Sequence, residues 1–246
     1  MTQTSTNFLS DKDISPQDRL IFALDVPSAG DARALVEGLG DSITFYKLGL
    51  ELCMAGGYFE LVEWLIAKGK KVFVDLKFFD VPQTVRSAVK QISGYGATFA
   101  TVHGNDAILK AAAEEKGELK ILAVTALTSL DQGDMDDLGF KADVKDVVLS
   151  RARRALESGC DGVISSGIEA PELRKHIDHK LIVITPGIRP VKNTDDQKRT
   201  VDVEEAFLNG ADYIVVGRPI RDHHGFDTPK AAADDIQRRI KVLFEG

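Results

Sequence analysis

The sequence predicts an α/β protein, because eight short apolar runs alternate strictly with eight helical stretches along 246 residues. Two further observations narrow the architecture. The clearest run, Val72-Phe73-Val74-Asp75-Leu76-Lys77, is apolar on both faces until its end, as strands of a parallel sheet are. Polar and charged residues also gather at the C-terminal ends of several runs, where barrels of this size build their sites. Eight units therefore predict a closed (β/α)₈ TIM barrel in a single domain, residues 19–246, behind a polar leader, residues 1–18.

The first run is Arg19 to Asp25, followed by Pro27-Ser28 and a helical pattern through Leu39. The second, Ile43 to Leu50, contains Tyr46-Lys47-Leu48-Gly49 and precedes a helix expected over Tyr58 to Lys68. Val72 to Lys77 is the third, and Pro82, which suits the first turn of a helix because its missing N–H costs nothing there, opens a helix to about Tyr95. Thr98–His103, Leu119–Leu127, Gly162–Ser166, Leu181–Pro186 and Tyr213–Gly217 complete the strands. Helices are expected near Asp106–Lys116, Val144–Ser158, Ala170–His176, Val203–Asn209 and Thr228–Phe244. An open doubly wound sheet is the competing architecture. Its glycine-rich first turn is missing, since the turn reads Asp25-Val26-Pro27-Ser28, and no P-loop signature occurs.

Strand ends carry the chemistry-bearing residues. Side chains alternate along a strand, so Phe73, Asp75 and Lys77 share one face, with Asp80 just beyond. An isolated D-x-K is ordinarily a surface ion pair, but at the tip of a doubly buried strand it is placed for chemistry. Parity also turns Lys47 inward with Phe45, and a buried ammonium requires an anionic partner: Asp25, Asp75 or a ligand. Asp25 competes with Ser28 as a cap of the first helix, and His103 reads more simply as a hydrogen-bonded packing residue than as a catalytic one. Gly217-Arg218 suits a phosphate, glycine allowing close backbone approach and arginine offering a planar fork. The long polar stretch Arg189 to Thr200 beside it suits a lid over that phosphate.

Composition bounds the partners. A hydrophobic fraction of 43% and a charged fraction of 28% are ordinary for a globular protein, and a net charge of -7 disfavours nucleic acid and anionic membranes. Cys53 and Cys160 lie far apart without metal-ligand spacing, which suits free thiols in a reducing compartment. The first seventeen residues lack the basic start and apolar core of a signal peptide, and no apolar run is long enough to span a bilayer. A cytoplasmic enzyme acting on a phosphorylated metabolite is expected.

Six motifs taken together resemble the orotidine 5′-phosphate decarboxylase family. They are Ala23-Leu24-Asp25, Tyr46-Lys47-Leu48-Gly49, the D-x-K-x-x-D-x-P-x-T stretch from Asp75 to Thr84, Val124 to Ser129, Thr185 to Arg189 and Val216 to Ile220. They run in the family's order from about Arg19 to the C-terminus. The resemblance implies conversion of orotidine 5′-monophosphate to uridine 5′-monophosphate and CO₂, the last step of de novo pyrimidine biosynthesis, with no cofactor and no metal. It implies that Lys77 stabilises and protonates a C6 carbanion, flanked by Asp75 and by Asp80 of a neighbouring subunit in a homodimer. Lys47 and Asp25 would hold the ribose, Thr84 would reach a ribose hydroxyl across the dimer, and Thr128 would meet the pyrimidine amide. Phosphate would fall to Arg218, the Gly217 backbone, Gln197 and Arg189, with Pro186 shaping the mouth.

Metal-dependent sugar-phosphate enzymes resembling this family share D-x-K-x-x-D but carry a metal-binding glutamate where this chain has Lys47. Two departures from the decarboxylase pattern stand out: Phe79, where bacterial members usually have histidine, and His103-Gly104-Asn105-Asp106. A non-catalytic barrel binding the same phosphorylated metabolite is the remaining alternative, although it would have no need of Asp75, Lys77 and Asp80 together.

Overall fold

Parallel strands with β-branched, doubly apolar sequences must cover both faces, which a barrel does by closing around its own side chains and wrapping in helices. A computed structural model, which describes residues 7–190, 200–223 and 225–246, has this arrangement. In chain order the elements are β1 (Leu20–Ala23), α1 (Ala29–Leu39), β2 (Phe45–Leu48), α2 (Leu50–Ala55), α3 (Tyr58–Ala67), β3 (Lys71–Phe78), α4 (Pro82–Ser93), β4 (Phe99–Val102) and α5 (Asp106–Glu114). They continue as β5 (Lys120–Val124), α6 (Gln132–Asp137), α7 (Val144–Glu157), β6 (Gly162–Ile164), α8 (Ala170–His176), β7 (Ile182–Thr185), α9 (Val203–Leu208), β8 (Tyr213–Val216), α10 (Arg218–Arg221) and α11 (Pro229–Glu245). Every neighbouring pair is parallel, and β1 pairs with β8 through Ile21 opposite Val215, so the barrel is closed.

Alternation divides the core in two. Ile21, Phe45, Phe73, Phe99, Leu122 and Tyr213 fill the barrel interior, where Phe45 stacks on Phe99 at 5.2 Å and Tyr213 meets Phe99 edge-on at 5.2 Å. Their outward neighbours, among them Phe22, Tyr46, Val72, Val74 and Ile121, pack beneath the helices. The aromatic plug closes the barrel beneath its C-terminal half.

Strict alternation holds for the eight strands, but three short helices interrupt it. Gly56 and Gly57, at φ 85° and 70°, break the segment after β2 into α2 and α3, a turn that β-carbon-bearing residues resist. Asp131 and Asp134 form a reciprocal capping box that starts α6, and Pro219 favours the single turn of α10. Ser28, not Asp25, caps α1, accepting from Asp31 N at 3.1 Å, which leaves the Asp25 carboxylate to the site.

Leader residues 7–18 lie across the N-terminal end of the barrel. There the fully buried Asp212 accepts from Arg174 Nη2 at 2.7 Å, Lys12 Nζ at 3.0 Å, Ser10 Oγ at 2.5 Å and Val183 N at 2.9 Å. Arg19 lies over the Phe244 ring at 3.9 Å, joining the start of β1 to α11. No helix among the described residues is long and apolar enough to cross a membrane.

Candidate active site

The strand ends surround a cavity of about 310 Å³ at the C-terminal mouth of the barrel. Its floor carries four charges in alternation. Lys47 Nζ lies 3.2 Å from Asp25 Oδ1 and 3.4 Å from Asp75 Oδ2, and Lys77 Nζ donates to Asp75 Oδ1 at 2.8 Å. Thr101 completes the shell of Asp75, its Oγ1 donating to Oδ1 at 2.9 Å while accepting from Lys77 N at 2.9 Å. The sequence brings these groups together by parity, because Phe45 and Lys47, Phe73 and Asp75, and Phe99 and Thr101 each share the inward face of a strand. At Lys77 the chain leaves ideal strand geometry. Its φ is 49°, and the β3–β4 register shifts between Val74 and Phe78.

The charges are mutually dependent. Burial by itself would drive the Lys47 ammonium toward neutrality, but Asp75 and Asp25 outweigh it and hold its pKa above the ordinary lysine value. Burial likewise opposes ionisation of Asp75, and Lys47 and Lys77, with hydrogen bonds from Lys77 and Thr101, hold its carboxyl below the ordinary range. Exposure grades along the array: the Lys47 and Asp75 side chains are 12% and 13% exposed, whereas Lys77 is 35% exposed and lines the cavity. An ammonium so placed can stabilise negative charge developing above it and deliver a proton there.

The wall formed by the loops after β7 and β8 suits an anion. Pro186, Gly187 and Arg189 follow β7, and Gly217 and Arg218 follow β8. A Cβ at Gly217 would meet Ala23 Cβ at 3.4 Å and Asp25 Oδ2 at 3.8 Å, ordinary contacts that place the β8 loop directly beside the turn after β1. Thr128 lines the third side from the loop after β5. Cationic residues after β7 and β8 and an alternating charge array on β1 to β3 line one cleft, an arrangement suited to a polar, anionic ligand.

Residues 18–236 match the family described as orotidine 5′-phosphate decarboxylase / HUMPS. The chain belongs to that family. It is 64% identical over 240 residues to an orotidine 5′-phosphate decarboxylase of Methylococcus capsulatus, covering 97% of this chain and 98% of the relative. The corresponding protein of Nitrobacter winogradskyi is 48% identical across 94% of this chain and 95% of its own length. Among solved structures, orotidine 5′-phosphate decarboxylase from Lactobacillus acidophilus superposes with a TM-score of 0.80 at 33% identity, covering 91% of this chain and 99% of that one.

Of the family residues expected from the sequence, Asp25, Lys47, Asp75, Lys77, Thr128, Pro186, Arg189, Gly217 and Arg218 all line the one cavity. Asp80 and Thr84 do not. Both are exposed, Asp80 turning back to accept from Val81 N at 2.6 Å and Thr84 standing in the first turn of α4. Gln197 and most of the expected lid lie outside the described residues. His103 faces a separate cavity of about 590 Å³ beside Phe79 and Arg151, where burial, then Arg151 and Lys77, lower its pKa. Sequence reasoning missed Thr101 and Arg221. Thr101 was signalled by its inward parity with Phe99, whereas Arg221 is recognisable only once α10 places it one turn after Arg218.

Proposed function

We infer that the protein converts orotidine 5′-monophosphate to uridine 5′-monophosphate and CO₂. The observation that carries this is the Asp25–Lys47–Asp75–Lys77 array in a cavity that Gly217, Arg218 and Arg189 also line. When the bond from C6 to the carboxylate carbon breaks, its electron pair stays on C6 in the plane of the ring, where the π system cannot spread it. The Lys77 ammonium offsets that charge and then gives C6 its proton, becoming a neutral amine that solvent reprotonates. Asp75 fixes Lys77 through the 2.8 Å hydrogen bond and keeps the substrate carboxylate under electrostatic pressure. Lys47 and Asp25 take the ribose hydroxyls, Thr128 the pyrimidine amide edge, and Arg218, Arg189, Gly217 N and Gln197 the phosphate, with Pro186 at the mouth. Phosphate contacts far from C6 lower the barrier by holding the reacting ring against the array.

The exposed Asp80 and Thr84 act in a neighbouring site. Phe79 and Val81, which flank Asp80, are 68% and 63% exposed. Apolar side chains of this size around a catalytic carboxylate favour a homodimer that covers them and exchanges Asp80 and Thr84 between subunits. With Cys53 and Cys160 both free, a cytoplasmic setting fits. The reading predicts loss of the substrate's ultraviolet absorbance on adding protein in excess chelator, with one CO₂ released per uridine 5′-monophosphate. A folded dimer that leaves the substrate unchanged overturns it, and turnover abolished by chelator returns the choice to the metal-dependent sugar-phosphate enzymes.

A further inference from the structure

Asp25 is the outermost member of the charge array and the least constrained. Its carboxylate is 47% exposed and accepts from Lys47 Nζ at 3.2 Å, while the capping of α1 is done by Ser28. The direction of that carboxylate therefore depends on the backbone of the turn after β1. This backbone is gripped from the helical turn after the neighbouring strand β8. Arg221, the last residue of α10, donates from Nη1 to the Asp25 carbonyl oxygen at 2.8 Å. Its guanidinium plane is fixed from the other side by Asp222, whose Oδ1 lies 2.7 Å from Nε and whose Oδ2 lies 3.2 Å from Nη2. A planar fork held at both edges is a more rigid strut than a single ammonium, and a charged donor on a carbonyl strengthens the bond.

We propose that Arg221 is a positioning residue, which aims Asp25 at Lys47 and ties the turn after β1 to the helical turn that carries Arg218. The inference rests on the decarboxylase reading and extends it, by giving the ribose end and the phosphate end of the cleft one shared mechanical link. Substrate phosphate that settles α10 thereby also settles the Asp25–Lys47 pair. Arg221 lines the cavity itself, so a direct contact with phosphate is the rival explanation of any loss.

A double-mutant cycle separates the two. Arg221→Met, which keeps the length and bulk of the stem, is expected to lower kcat/KM for orotidine 5′-monophosphate roughly tenfold to a hundredfold, the range of a charge-assisted hydrogen bond. In an Asp25→Asn background, where no carboxylate remains to be aimed, the same change is expected to cost less than about threefold. Arg221→Lys, run through the same cycle, keeps the test decisive if the methionine variant folds poorly, and thermal unfolding is read for all. An unchanged kcat/KM in either single variant at position 221, or an equal loss in both backgrounds, overturns the proposal. If the wild type fails to turn over, the decarboxylase reading falls and this inference with it; an active wild type with an additive cycle removes this inference alone.

Discussion

Both ends of the barrel bury a carboxylate among cations, and they do so for opposite purposes. At the N-terminal end Asp212 is wholly enclosed, and both its oxygens are committed to Arg174, Lys12, Ser10 and Val183 N. At the C-terminal end Asp75 is also hydrogen-bonded, but its partner Lys77 keeps a third of its side chain open to the cavity. A closed network stabilises a single arrangement. An incomplete one holds charge ready for something that arrives later. The contrast teaches that burial of charge does not by itself mark function; the marker is a charged group whose shell is left open toward a cavity.

Replacing the open group should separate the two ends most sharply. Lys77→Ala is expected to lower kcat by at least about 10⁴-fold, since electrostatic stabilisation and proton delivery are lost together, with little change in thermal stability. Retention of activity within tenfold would place the proton donor elsewhere. The converse change, Asp212→Ala, is expected to cost about 3–5 kcal/mol of stability by leaving the buried Arg174 and the half-buried Lys12 without their carboxylate. Urea unfolding measures it, and the surviving folded protein at low temperature should keep its kcat/KM. A large kinetic defect in that folded fraction would break the division of labour between the ends.

Acid should also test the C-terminal array. Because the folded state holds the Asp75 carboxyl below its ordinary pKa, its contribution is complete above the ordinary carboxylate range and is lost as pH falls through the depressed value. Asp75→Asn should therefore flatten the acid limb of a stability-versus-pH curve, and an unaltered limb would show that the flanking lysines do not stabilise the carboxylate. The smallest effect concerns Gly49. A Cβ there would lie 3.3 Å from both Asp25 Oδ1 and Lys47 Nζ, yet its φ of -105° suits any residue. Gly49→Ala is expected to lower kcat/KM about threefold to tenfold by prising that pair apart, while stability changes by less than about 1 kcal/mol because a less flexible unfolded chain offsets the weakened pair. Parallel losses in both quantities would point instead to a general packing fault.

Much of this was legible in the sequence for a geometric reason. Period-two alternation on doubly buried strands fixes which side chains meet inside the barrel, so Lys47, Asp75 and Lys77 could be placed together before any coordinates. Residue type and strand-end position marked Gly217-Arg218 and the Arg189 loop as a phosphate site, and the family resemblance supplied what neither gave, namely the roles of Thr128, Pro186 and Gln197. Arg221 escaped both routes, because its position depends on a four-residue helix and on a carbonyl nearly two hundred residues earlier in the chain. The three short helices were missed for a related reason: each is set by a local device, a glycine pair, a capping box or a proline, and is too short to show periodicity. The latch at Asp212 was hidden by composition, since Ser10 and Lys12 read as solvated leader residues until Asp212 is placed against them.

The backbone at Lys77 carries an evolutionary cost. A φ of 49° disfavours any residue with a β-carbon by roughly 1–2 kcal/mol, and glycine would take the same turn without that penalty. Selection for heat resistance alone, natural or in a directed-evolution campaign, would thus drift position 77 toward glycine and erase the ammonium on which turnover is proposed to depend. Thermal screens of this barrel need an activity counter-screen at that codon, because the hardiest descendants would be inert.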